Sequence, residues 1–249
     1  MKKINLFLLI FGFLSLIIIL FLSLPIVKLF YDVGFEKLLE TFQDKEVYSS
    51  IYLTFKVSFY AVLFVIFTGI PLGYLIARYD FKGKIILESI IDIPVMVPHT
   101  AAGIALLMMF QKGFLDINIV DTTTGIMIAM MFLSSPFLIN GAKEGFRKVD
   151  IKYEYAARTL GANHFQLFFS VVLPSARNEI VNGALMMWSR GIGEFGAVVI
   201  ISYHPMVAPI LIYDRFNSYG LNYSAPVAAM MIFVSMIVFL SIRSWNNVK

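Results

Sequence analysis

The sequence predicts an all-α integral membrane protein with six transmembrane helices. Of its 249 residues, 59% are hydrophobic and only 14% are charged, whereas soluble domains are roughly 45–50% apolar and about 25% charged. One globule of this size cannot bury such an excess of apolar side chains, which excludes a soluble enzyme and a disordered protein. The apolar runs are continuous rather than alternating, which argues against a transmembrane barrel.

Six apolar stretches are candidates for membrane-spanning helices, each of which needs roughly 20 apolar residues. Five of them contain an uncharged window of 19 to 27 residues, and the remaining one, the stretch from Ile180 to Ile201, is interrupted only by Arg190 and Glu194. The first stretch could be a signal peptide, but its apolar run exceeds the usual core of about 7–15 residues and no A-x-A site follows, so we expect a retained helix. The predicted spans are 5–27, 52–77, 85–110, 122–142, 178–201 and 224–243.

The distribution of Lys and Arg predicts that both termini are cytoplasmic. Six spans put the termini on one side of the membrane, and cytoplasmic loops carry an excess of Lys and Arg. Thirteen of the twenty Lys and Arg residues fall in the segments on the side of the termini, and five fall on the other side. We therefore expect a multi-pass protein of the cell (plasma or inner) membrane. The basic residues are scattered over short loops, which excludes a nucleic-acid partner.

The outer loop 31–48 is acidic, and its apolar residues Phe35, Leu38, Leu39 and Phe42 have helical spacing. This spacing predicts a short amphipathic helix on the outer surface. Two interpretations are open, a solvated cap and a docking surface for an external partner.

The longest cytoplasmic connection, 143–177, predicts two short helices outside the membrane. Asp150 can cap the start of the first helix, and Gly161 stands where that helix should end. Asn163 can cap the second helix, and Pro174 should bar its continuation. A simple tether without a partner is the alternative interpretation of this segment.

The same connection carries a motif. The run from Glu154 to Pro174 resembles the EAA motif of ABC importer permeases, whose pattern is E-A-A-x3-G-x9-I-x-L-P. Val171 replaces the Ile of the pattern, Tyr155 occupies its Glu position, and Glu154 lies one residue earlier. The exact matches are Ala156, Ala157, Gly161, Leu173 and Pro174.

Two further segments resemble the molybdate, tungstate and sulfate permeases within that family. The stretch 93–107, with Pro94, Pro98 and Gly103, is similar to their third-span region. The stretch 190–197 is similar to their R-x-x-G-E-F-G-A signature in the fifth span. The resemblance covers most of the chain from about Ser49 onward.

The resemblance implies a type I ABC importer permease-like fold with two short cytoplasmic coupling helices. It also implies a homodimer in the lipid bilayer, two cytoplasmic ABC ATPase subunits and an extracellular or periplasmic oxyanion-binding protein. No G-x-x-x-x-G-K-[ST] pattern occurs, so we expect a non-enzymatic chain without a cofactor, with ATP bound by the partner subunit. The residues expected to couple to the ATPase are Glu154, Tyr155, Ala156, Ala157, Arg158, Leu160, Gly161, Leu173 and Pro174.

The translocation path or gate is expected at Arg190, Gly193, Glu194 and Gly196. A charge at the centre of a span costs about 2.5–3.5 kcal/mol on insertion scales, so Arg190 and Glu194 should face each other or an aqueous path. Arg190 could attract an oxyanion, or the two could form a structural ion pair. The glycines permit close backbone contact or local unwinding.

The substrate is predicted to be molybdate or tungstate, and sulfate or thiosulfate is the alternative within the family. A more remote alternative is an ion-coupled secondary transporter, which usually shows paired repeats and midplane ionisable groups. An intramembrane enzyme would need clustered His, Asp or Glu residues, and none are apparent. The three His residues lie in different loops, and no H-E-x-x-H pattern supports a metal site.

Overall fold

The computed structural model describes residues 6–110 and 117–247. Residue 5, at the predicted start of the first span, lies outside the described residues, as do Lys2, Lys3, Lys112 and Lys249 from the charge count. Within the described ranges the chain is helical and contains no strand.

The helices of the described residues are connected mostly by short turns. They are α1 (Leu6–Gln43), α2 (Lys45–Arg78), α3 (Lys84–Met96), α4 (His99–Phe110), α5 (Thr123–Lys148), α6 (Ile151–Thr159), α7 (His164–Leu167), a π-helical turn (Phe168–Val172), α8 (Leu173–Ser175), α9 (Arg177–Ile192), α10 (Val198–Ile201), α11 (Ala208–Tyr219) and α12 (Leu221–Asn247).

Four of the described helices are long and apolar enough to cross a membrane, namely α1, α2, α5 and the part of α12 over Leu221–Ile242. Helices α3 and α4 form a fifth candidate, which is bent by 114°. The predicted span 85–110 is therefore not one straight helix, because Pro98 follows the end of α3 and cannot donate a helical hydrogen bond. The predicted span 178–201 is also divided, since α9 ends at Ile192.

The chain divides into two compact units, of which the first comprises residues 1–51 and 211–249. In this unit α1 packs against α12. The apolar side chains of α1 over 6–22 are largely exposed, as expected for a helix that contacts lipid. Gly34, with φ 70° and ψ 164°, interrupts α1, so that residues 35–43 form the short helix expected in the outer loop.

A cluster of three charged side chains joins α11 to the junction of α1 and α2. Arg215 Nη2 lies 2.7 Å from Asp44 Oδ2 and 2.8 Å from Glu46 Oε2. Asp44 Oδ1 also accepts a hydrogen bond from the backbone N–H of Glu46 at the start of α2. Burial raises the pKa of Asp44, but the hydrogen bonds from Arg215 and from the backbone of Glu46 and Val47, together with the charge of Arg215, outweigh it, and the net pKa lies below the ordinary value of 3.8.

The second unit comprises residues 52–210 and is built around α5 and α9. The two helices approach closely at glycines: a Cβ atom added at Gly141 would lie 2.8 Å from Gly183 Cα. Side chains at these positions would force the backbones apart, which is why small residues mark close helix contacts. The unit has two apolar core clusters, one around Phe146 and Leu167 and the other around Ile126.

Candidate functional site: a short helix pair and two helix breaks

The segment 150–175 forms two short helices on either side of Gly161. Asp150 accepts a hydrogen bond from Lys152 N and caps α6. Gly161 has a φ of +88°, which L side chains rarely adopt, so a glycine is favoured at this turn. Asn163 and Gln166 form a reciprocal capping box at the start of α7.

The second helix is longer than Pro174 alone predicts. Helix α7, the π-helical turn and α8 form a continuous apolar helix over His164–Ser175. Pro174 lies in the first turn of α8, where the missing N–H is tolerated, and the helix ends one residue later.

A buried ion pair anchors α6 to the end of α2. Glu154 Oε1 lies 2.6 Å from Arg78 Nε, and their side chains are only 7% and 11% exposed. Arg78 Nη2 also donates a hydrogen bond of 2.9 Å to the carbonyl oxygen of Val149, which follows α5. One guanidinium therefore connects α2, the end of α5 and the first turn of α6. The sequence analysis did not identify Arg78, since nothing local links it to Glu154.

The other residues expected to couple to an ATPase divide into an exposed and a packed group. Ala157 and Leu173 are partly buried and pack against the core cluster around Phe146. Leu160 and Phe165 are 88% and 78% exposed. A group of exposed apolar side chains on a segment outside the apolar spans is typical of a protein-binding surface. The exposed members of the predicted set are Tyr155, Ala156, Arg158, Leu160, Gly161 and Pro174.

The second region lies where two broken helices meet. Residues 97–98 separate α3 from α4, and residues 193–197 separate α9 from α10. A Cβ atom added at Gly196 would lie 2.7 Å from His99 Cβ, and one added at Gly103 would lie 2.9 Å from Ala197 Cα. The two breaks are thus in direct contact, and the glycines make that contact possible. Gly193 is exposed, with its nearest neighbour atoms 3.9 Å from an added Cβ.

His99 connects the two charged residues of the fifth predicted span. Its Nδ1 lies 2.9 Å from Glu194 Oε2, and its Nε2 lies 2.6 Å from Arg190 Nη2. Glu194 is buried at 1% exposure, and its Oε1 accepts a hydrogen bond from the backbone N–H of Ala197. Within the described ranges no carboxylate lies within 4.0 Å of Arg190. The structure therefore brings Arg190, Glu194 and Gly196 together, but through His99 rather than as a direct pair.

Only one weak signal in the sequence marks His99. It directly follows Pro98 at a position where a helix must restart, yet it is 91 residues from Arg190 in the chain. Across residues 6–110 and 117–247, no group of three or more His, Cys, Asp or Glu side chains is arranged to hold a metal ion.

Comparisons with known proteins agree on one family. Residues 69–247 match the family described as "Binding-protein-dependent transport system inner membrane component". The chain is 41% identical to the molybdate/tungstate transport system permease protein WtpB of Pyrococcus furiosus, with 94% of this chain and 92% of that protein covered. The WtpB protein of Methanocaldococcus jannaschii is 36% identical, with 93% and 94% covered.

More distant relatives have related names. The sulfate transport system permease protein CysT of Escherichia coli is 28% identical over 94% of this chain and 89% of its own length. The fold is similar to that of the MetNI methionine ABC transporter in inward-facing conformations, with a TM-score of 0.65, 18% identity, and 82% of this chain and 96% of that chain covered. A bacterial ABC transporter for import of the acidic polysaccharide alginate gives a TM-score of 0.65 at 19% identity, with 98% and 99% covered.

Proposed function

The chain belongs to the family of binding-protein-dependent transport system inner membrane components, and from this membership we propose that it is the permease subunit of an ATP-driven importer for molybdate and tungstate. The observation that carries the proposal is the 41% identity to a molybdate/tungstate permease over more than nine tenths of both chains. The similarity to a sulfate permease is lower, at 28%, which makes sulfate the second candidate.

The proposed assembly has two copies of this chain, two cytoplasmic ABC ATPase subunits and an external oxyanion-binding protein. Each copy crosses the cell membrane six times with both termini in the cytoplasm. The Lys and Arg distribution supports this orientation. In this topology the divided helices α3–α4 and α9–α10 are the third and fifth spans. ATP is bound and hydrolysed by the ATPase subunits, and this chain carries no cofactor.

The mechanical input of the proposed importer is the helix pair over 151–175. Its exposed apolar side chains, Leu160 and Phe165 among them, supply a surface for the ATPase. Its other face is attached to the membrane helices by the buried Arg78–Glu154 pair. Movement of the ATPase subunits would then move α2 and α5 together with the helix pair, a rigid-body mode that is common in switching proteins.

The proposed gate lies at the two helix breaks. Arg190 lies near the end of α9, and Gly193, Glu194 and Gly196 lie in the break that follows it. Irregular backbone within a span is tolerated if it lies within protein or lines a water-filled path. Backbone without regular helical hydrogen bonds can change conformation more readily than the helices beside it.

The test is uptake by proteoliposomes that contain this chain, its ATPase and the external binding protein. We expect ATP-dependent uptake of radiolabelled molybdate and tungstate that excess unlabelled sulfate does not suppress. Uptake of sulfate in preference to both would support the second candidate. Uphill transport by this chain without an ATPase would overturn the proposal and favour an ion-coupled carrier.

A further inference from the structure

His99 lies between the two charged side chains. Its Nε2 lies 2.6 Å from Arg190 Nη2, and because a guanidinium only donates, this nitrogen accepts the hydrogen bond. The same Nη2 lies 3.4 Å from Nδ1. Nδ1 lies 2.9 Å from Glu194 Oε2, but this contact lacks hydrogen-bond geometry, and Glu194 Oε2 has no hydrogen-bond partner among the described residues. The imidazole therefore holds the guanidinium by a hydrogen bond and separates it from the carboxylate.

The two charged ends of this network differ in their exposure. Glu194 is 1% exposed, and the imidazole lies between it and the guanidinium. Arg190 is partly exposed, and so is the His99 side chain, at 30%. The guanidinium of Arg190 is thus partly exposed beside the helix breaks, whereas the carboxylate of Glu194 is buried.

The guanidinium of Arg190 has unused donors. It has five N–H groups in a planar fork, a geometry that matches tetrahedral oxyanions. Among the described residues only its Nη2 has a hydrogen-bond partner, and that partner is His99. An anion can therefore bind the remaining N–H groups while His99 continues to hold the side chain in place.

We propose that Arg190 is an oxyanion subsite at the contact of the two helix breaks, that His99 is its positioning residue, and that Glu194 orients His99. The ligand class is a tetrahedral dianion, so the inference rests on the proposed function and adds the residues that contact the substrate. A single guanidinium with a carboxylate on the far side of one imidazole binds a dianion weakly. Weak binding suits a transport path, because the ion must leave as readily as it enters.

The experiment measures how fast phenylglyoxal modifies Arg190 in the purified complex of this chain with its ATPase, by peptide mass spectrometry. We expect 10 mM tungstate to slow the modification of Arg190 at least threefold. Perrhenate has the same tetrahedral shape and one charge fewer, and it should protect less at equal ionic strength. Arg177, which is exposed at the start of α9 and lies outside the set expected to contact the ATPase, is the internal control and should react at the same rate throughout.

The positioning role is tested by His99→Leu and its matched control His204→Leu. In the His99 variant the tungstate concentration needed for half protection should rise about tenfold or more, because the guanidinium is no longer held. His99→Gln, whose amide can accept from Arg190 and donate to Glu194, should restore part of the protection. His204 lies outside the network, and its variant should behave as the wild type.

Three results would overturn the inference. These are equal modification of Arg190 with and without tungstate, protection of Arg177 to the same extent, and an Arg190 that does not react even without tungstate. The uptake assay separates this failure from failure of the proposed function. A wild-type complex that imports tungstate but shows no protection of Arg190 would disprove the subsite alone, whereas one that imports no oxyanion would disprove the function.

Discussion

The buried Arg78–Glu154 pair gives the strongest prediction about stability. Removing one partner of a buried ion pair leaves an uncompensated charge, which costs about 3–5 kcal/mol. Both side chains are well below one third exposed, at 11% and 7%, so solvent screening reduces this cost little. A protein of this size loses roughly 2–4 °C of its unfolding midpoint per kcal/mol. We therefore expect Glu154→Leu to lower the midpoint by roughly 6–20 °C.

The double variant Arg78→Leu with Glu154→Leu should be more stable than Glu154→Leu alone. It removes both charges, and apolar replacements of a buried pair are often neutral. It still leaves the Val149 carbonyl, which accepts 2.9 Å from Arg78, without its donor, at a cost of about 1–3 kcal/mol. The remaining loss should therefore be smaller than that of the single variant.

Thermal unfolding of the purified complex, followed by tryptophan fluorescence, measures these differences. The control is Glu144→Ala, which breaks an ion pair with Arg147 whose side chains are 54% and 41% exposed. Exposed pairs contribute about 0–1 kcal/mol, so its midpoint should change little. A loss for Glu154→Leu no larger than that of the control would refute the reasoning, and so would a double variant less stable than the single one.

Three other perturbations have definite outcomes. Gly161→Pro should abolish ATP-driven uptake, because a φ of +88° excludes the proline ring; normal uptake in vesicles would contradict this. Gly196→Ala should lower the unfolding midpoint, since its added Cβ has a neighbour at 2.7 Å, whereas Gly193→Ala, with nothing closer than 3.9 Å, should not. The pKa of Asp44 is lowered in the folded state. The contribution of its carboxylate to stability is therefore complete at pH values above its ordinary pKa of 3.8 and is lost as the pH falls through the folded-state pKa. Below pH 3.8 the stability of Arg215→Gln should therefore fall less steeply with pH than that of the wild type. Equal slopes of stability against pH in the two proteins would contradict this role of Arg215.

The features that were predictable from the sequence are those that depend on near neighbours. Asp150, Gly161 and Asn163 act on backbone groups within a few residues, and the helix ends that they define are present in the structure. Long apolar helices follow from composition in the same way. The all-helical membrane fold was predictable for this reason.

The breaks in α3–α4 and α9–α10 were harder to predict, because an apolar count does not show where a helix stops. Pro98 and the glycines near 193–196 mark both breaks, but each is also compatible with a kink inside a continuous span. The partners of the charged residues were beyond local reasoning altogether. His99 and Arg190 are 91 residues apart, and Arg78 is 71 residues from Val149, so only the packing of the helices brings them together.

Helix α9 connects the helix pair over 151–175 to the helix breaks. It begins directly after the helix pair over 151–175, extends over 16 residues, and carries Arg190 near its other end, 13 residues from Arg177 and thus about 20 Å away at 1.5 Å per residue. Along this length it contacts α5 through Gly141 and Gly183, whose backbones meet without side chains between them. Close-packed contacts of this kind transmit displacement, because no side-chain rotamer can absorb it. A shift of the helix pair would therefore reach His99 as a movement of α5 and α9 together, and the Arg190–His99 contact, which joins α9 to α4 across the helix breaks, is where that movement would act on a bound ion.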